Sequence, residues 1–134
     1  MKNLLVILFL FFATPAYADS LDETVHTQSK WFTPFTWYDY SFEAIYMGVT
    51  SMDWSQTQQI ANNPGTRAES NPFLGGPHPS LANVNTIIPI SMGLHALIAY
   101  ALPKPYREIW QMAWIGIETR QVVGNVSAGL RIRF

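Results

Sequence analysis

Asp53, Gln56 and Thr57 lie three and four residues apart, a spacing that gathers a carboxylate, an amide and a hydroxyl on one face of a helix. Gln111, Glu118 and Asn125 recur at seven-residue steps and so project along one stripe of another helix. Between them in the chain, Ser91 and His95 stand four apart in an otherwise apolar stretch. Packed together, these stripes would bring Asp53, His95 and Glu118 into a cluster. Two carboxylates and an imidazole can relay protons, act as acid and base, or hold a metal weakly. Ionisable groups inside a membrane bundle are costly, and that cost makes them functional candidates. Each also has a plainer reading. His95 fits a hydrogen-bonded core histidine, and Asp53 fits an interhelical hydrogen bond, worth about 0.6 kcal/mol on average in membrane proteins. Glu118 fits a pair with Arg120 or Gln121 at a wet helix end. His26, His78 and His95 have no metal-site spacing, and the chain has no Ser-His-Asp motif, phosphate loop or zinc helix motif. No metal and no cofactor is expected.

A second constellation occupies residues 69–80, Glu-Ser-Asn-Pro-Phe-Leu-Gly-Gly-Pro-His-Pro-Ser. A carboxylate just before Asn71-Pro72 fits an Asx-type turn in which Glu69 accepts backbone donors, and Ser80 or Asn83 can cap the helix that follows. Proline and glycine punctuate residues 61–80, and burial of Phe73 and Leu74 among them would keep this long loop ordered. The strings Asp53-Trp54-Ser55-Gln56-Thr57 and Glu69-Ser70-Asn71-Pro72-Phe73-Leu74-Gly75, with Pro79-Ser80, resemble a pattern in small membrane proteins of proteobacteria and their phages. Those proteins carry a D-x-x-Q-T helix, an E-x-N-P-h-L-G loop and two hydrophobic helices. The resemblance covers roughly residues 45–130. It implies that Asp53, Gln56, Thr57, Glu69 and Asn71 form one binding unit, and it supplies no reaction.

The elements that must position these residues are helical. Residues 41–60 place Phe42, Ile45, Tyr46 and Val49 on one face and end at Asn62-Asn63-Pro64-Gly65. Residues 81–103 hold no charge, are just long enough to cross a membrane, and contain Pro89, either as a kink or as the true helical start. Residues 108–125 follow a short basic turn that forces an antiparallel pair with the helix before it. From Val126 to Phe134 apolar residues alternate with Ser127, Gly129, Arg131 and Arg133, a strand-like tail. Such a terminus resembles the last strand of outer-membrane barrels, but the other strands of a barrel are not found.

The chain's start reads as an export signal. Lys2, an apolar run at residues 4–12 and Ala16-Tyr17-Ala18 give the basic, apolar and small-residue parts of a leader cleaved after residue 18. Residues 19–40 are polar and then densely aromatic, and residues 41–134 form a helical membrane-associated domain. Charged residues make up 13% of the chain and aromatic residues 14%; soluble domains carry about 25% charged residues. No cysteine is present, so disulfides and thiolate chemistry are excluded. Net charge is −1 with scattered basic residues, which speaks against nucleic-acid binding.

Together these features predict an all-α bundle of two or three hydrophobic helices in the inner membrane, with a periplasm-facing N-terminus. With three spans the Lys104–Arg107 turn violates the positive-inside tendency; with two it obeys. The polarity of the first helix favours two. The expected function is that of a non-enzymatic envelope protein binding lipid and a membrane or periplasmic protein. One alternative is an intramembrane enzyme or proton-coupled device using Asp53, His95 and Glu118; another is an outer-membrane component; and a monotopic or soluble bundle in the periplasm is the alternative location.

Overall fold

The computed structural model describes residues 33–65 and 67–134. The expected leader, its expected cleavage site and the polar segment after them lie outside the described residues. Helix α1 (Trp37–Asn62), a short 3-10 turn (Pro72–Leu74), α2 (Leu81–Ala101) and α3 (Tyr106–Ser127) make up the fold. The all-α expectation is met: among the described residues there is no strand.

Each helix begins where local chemistry dictates. Helix α1 starts inside the aromatic run, four residues earlier than its periodicity suggests. There the Thr36 backbone N–H and hydroxyl both donate to Asp39 Oδ2, at 2.6 and 2.7 Å, so an acidic side chain holds the first turn. Ser80 Oγ accepts the Asn83 N–H at 3.1 Å and caps α2. Pro89 lies within α2, which runs unbroken past it. Helix α3 follows Pro103-Lys104-Pro105 directly, so α2 and α3 run in opposite directions, as the short turn requires. Helix α1 packs along both of the others.

The tail corrects the strand reading. It leaves α3 through Gly129, whose φ of 83° suits glycine. The Arg133 N–H donates to Ser55 Oγ at 2.8 Å, and Ser55 donates back to the Arg133 carbonyl. Gln59 likewise engages both the N–H and the carbonyl of Arg131. The alternation is real at the backbone, but its partners are two side chains four apart on α1, so no strand forms.

Polarity is distributed unusually. Among the described residues, the interior holds as many polar or charged buried side chains as apolar ones, including Asp39, Gln56, Thr57, His95, Arg107 and Gln111. The outer surface carries Ile45, Ile90, Leu94, Leu97, Ile109, Met112 and Ile117, each 43–65% exposed. Helix α2 is the one described helix long and apolar enough to cross a membrane, and only 22% of its most apolar stretch is buried. A small apolar cluster of Leu74, Val84 and Ile88 secures the loop beneath the start of α2. Phe73, expected inside with Leu74, is instead 71% exposed: in this tight turn the two neighbours point apart, and only Leu74 reaches the cluster.

Candidate functional site

Helix α1 presents Asp39, Glu43, Tyr46, Thr50, Asp53, Thr57 and Ile60 inward, at alternating steps of four and three residues. Such spacing is a helix-packing seam, and here most of its members are polar. Arg107, Gln111, Trp114 and Glu118 answer it from α3, and His95 from α2. The result is a polar axis through the bundle, with three distinguishable levels.

Arg107 anchors the first level and is fully buried. Its Nε donates to the Ala99 carbonyl at 2.9 Å; Nη1 donates to the Pro34 carbonyl and to Asp39 Oδ2; Nη2 donates to the carbonyls of Thr33 and Tyr100. A guanidinium has five N–H donors, and all five are used. Two of its acceptors are last-turn carbonyls of α2, groups that no helix can satisfy internally. Phe35 lies 4.7 Å from the guanidinium carbon, a cation–π contact. Lys104 Nζ stands 3.9 Å from Asp39 and 3.2 Å from Glu108.

At the second level His95 Nδ1 meets Glu43 Oε1 at 2.9 Å. Gln111 Nε2 donates to Glu43 Oε2 at 3.1 Å and to the Asp39 carbonyl at 3.0 Å, tying this level to the first. The imidazole stacks on Tyr46 at 3.6 Å between centroids, and Trp110 and Trp114 close around it at 5.5 and 6.3 Å.

The third level gathers carboxylates. Asp53 Oδ1 accepts from Asn125 Nδ2 at 2.9 Å. The Thr57 hydroxyl lies 3.5 Å from Asp53 Oδ2 and 3.2 Å from Glu69 Oε2, bridging helix and loop. Glu118 is within electrostatic reach of both Asp53 and Glu69. Glu69 Oε1 accepts the N–H groups of Ser70 and Asn71, each at 2.8 Å, and Asn71 Oδ1 accepts from Phe73 N–H at 3.0 Å. Gln56 turns aside and donates to the Val122 carbonyl at 3.4 Å.

Of the residues the sequence singles out, the structure therefore joins Asp53, Thr57, Glu69, Asn71 and Glu118 at one level, with Gln56 beside them. His95 stands apart from that group. Its partner Glu43 is ten residues from Asp53 on α1, about 15 Å at helical rise. Asp53, His95 and Glu118 thus share an axis and not a cluster. Among the described residues no group of three His, Asp or Glu side chains could hold a metal ion. Sequence reasoning missed Asp39, Glu43 and Arg107; the four-three spacing of polar residues from Asp39 to Thr57 was the signal available. Comparison of the chain with protein-family models, curated proteins and solved structures finds no match.

Proposed function

We propose that the protein is a non-enzymatic integral component of the inner membrane whose three helices all cross the bilayer, with lipid as its immediate partner. The inverted polarity of the bundle carries this reading. In water, a rim of exposed leucine, isoleucine and methionine around buried aspartate, arginine and glutamine would be unfavourable twice over. In a bilayer the same arrangement is favourable, because apolar side chains meet lipid and polar ones meet each other. At about 1.5 Å per residue each helix reaches the roughly 30 Å of the hydrocarbon core.

Two further observations support a definite orientation. Trp37, Tyr38, Tyr40, Tyr100 and Tyr106 are all exposed at the end of the bundle that holds Lys104, as befits a headgroup belt. Arg67, Arg120, Arg131 and Arg133 lie toward the opposite end. The difficulty posed by the Lys104–Arg107 turn falls away, because Arg107 is buried and paired with Asp39 and is no longer a loop charge. The positive-inside tendency then places residues 63–80 and the tail in the cytoplasm, and the N-terminus and the turn in the periplasm. Carbonate washing of membranes from expressing cells tests this reading. Retention in the washed inner membrane is expected; release with soluble periplasmic proteins would overturn it.

A further inference from the structure

Among the described residues, five buried polar atoms on the axis have no hydrogen-bond partner: Asp39 Oδ1, Gln111 Oε1, His95 Nε2, Thr50 Oγ1 and Gln56 Oε1, on side chains 0–3% exposed. They are spread along the bundle, from the Arg107 level to the Asp53 level. Buried polar atoms without a protein partner are where internal water is held. Among them stand groups that can take up and release a proton. From the loop inward these are Glu69, Asp53, Glu118, Tyr46, and the Glu43–His95 pair. We propose that, in the membrane-embedded bundle proposed above, this axis is a proton half-channel that opens at Glu69, ends on the Glu43–His95 pair, and is sealed beyond it by Arg107.

The open end follows from placement. Ser70 is exposed and Glu69 half-buried, and the Thr57 hydroxyl links Glu69 to Asp53. Glu118 and Glu43 both lie within electrostatic reach of the Tyr46 hydroxyl, whose ring covers His95. The roughly 15 Å from Asp53 to Glu43 is more than these side chains bridge unaided; Thr50 Oγ1 lies between them on α1, and water held at Thr50 Oγ1 and His95 Nε2 would complete the route. The closed end follows from Arg107. A fixed guanidinium with every donor engaged sets an electrostatic barrier to protons, and Gln111 connects its level to Glu43 through neutral donors only. The charged or titratable groups facing Glu43 are therefore Asp39 and Tyr46 on α1, His95 on α2, and Arg107 (through Asp39) and Glu118 on α3. Lys104, from the turn, stands behind Asp39.

A half-channel delivers a proton from one side only, and its terminus can be probed chemically. Dicyclohexylcarbodiimide enters hydrocarbon and reacts with a protonated carboxyl: the acid adds across the carbodiimide and rearranges to an N-acylurea with no atom lost. Glu43 is 12% exposed, enough for a reagent dissolved in lipid to reach it. The full chain is reconstituted into sealed phosphatidylethanolamine–phosphatidylglycerol vesicles. Orientation is read from an Ala68→Cys variant with an impermeant maleimide, which meets no native cysteine. Modification of Glu43, followed by mass spectrometry, is expected to rise when the Glu69 side is acidified and to ignore acidification of the Arg107 side. Glu43→Gln is expected to remove it, and Asp53→Asn with Glu118→Gln to slow its response about tenfold or more. Absence of Glu43 modification, dependence on the Arg107 side, or an unchanged response in the double variant would overturn the proposal. Flotation of the same samples keeps the two claims separate. Protein that fails to float with vesicles defeats the membrane reading; protein that floats without sided modification defeats only the half-channel.

Discussion

Arg107 shows how much a single side chain can organise. It joins the segment before α1, the end of α2 and the start of α3 through four backbone carbonyls and one carboxylate. Asp39→Ala would leave that charge buried without its counter-ion, and a loss of about 3–5 kcal/mol is expected, read as a lowered denaturation midpoint in detergent micelles. Adding Arg107→Met to that variant removes the stranded charge but also strips donors from the four carbonyls, so only partial recovery is expected. Gly75 is a smaller case. Its φ is 90° and an added Cβ would lie 3.0 Å from Asn83 Nδ2, so Gly75→Ala should cost about 1–2 kcal/mol by the same measurement. At this scale the sequence was legible where partners are close in the chain. Glu69 accepting the N–H groups of Ser70 and Asn71, and Ser80 capping α2, follow from local turn chemistry. The Glu43–His95 pair was not legible, because 52 residues separate the partners and only the register of α1 against α2 brings them together.

Helices are the elements the sequence predicts best. Their number and order were evident from periodicity and from the Asn62–Gly65 and Pro103–Pro105 breaks. Their edges were less so: the proline in the aromatic run hid the fact that Thr36 and Asp39 start α1. The first helix also reads as too polar to cross a membrane; what a sum over its residues does not show is that the charged ones all face inward. On the outer face of α2 the prediction is direct. Leu94 is 53% exposed, and Leu94→Arg should disfavour insertion by about 2.5–3.5 kcal/mol, seen as protein lost from the carbonate-washed membrane. The tail is held to α1 by Ser55 and Gln59 alone among the polar contacts described. Ser55→Ala with Gln59→Ala should free it, and carboxypeptidase should then trim Phe134 and Arg133 faster than in the parent chain. An unchanged trimming rate would mean that Leu130, buried at 8% exposure, is the true anchor.

For the molecule as a whole, the inside-out partition of polarity is the governing fact. It explains why a chain with so few charges keeps several of them in its interior, and why the aromatic residues concentrate at one end. It also bears on the proposed three-span topology, where the sequence alone favours two. Counting Arg107 as a surface charge makes two spans look better, whereas its burial beside Asp39 makes three consistent with the charge at both ends. The chain has no cysteine, so single substitutions report position cleanly. The decisive measurement is labelling of Tyr38→Cys and Ala68→Cys, in separate variants, by an impermeant maleimide applied to cells with a permeabilised outer membrane. Both positions are exposed and lie at opposite ends of the bundle. A three-span protein with its N-terminus in the periplasm predicts that the Tyr38→Cys variant reacts at once and that the Ala68→Cys variant reacts only after the inner membrane is lysed. Immediate reaction of both variants would contradict it.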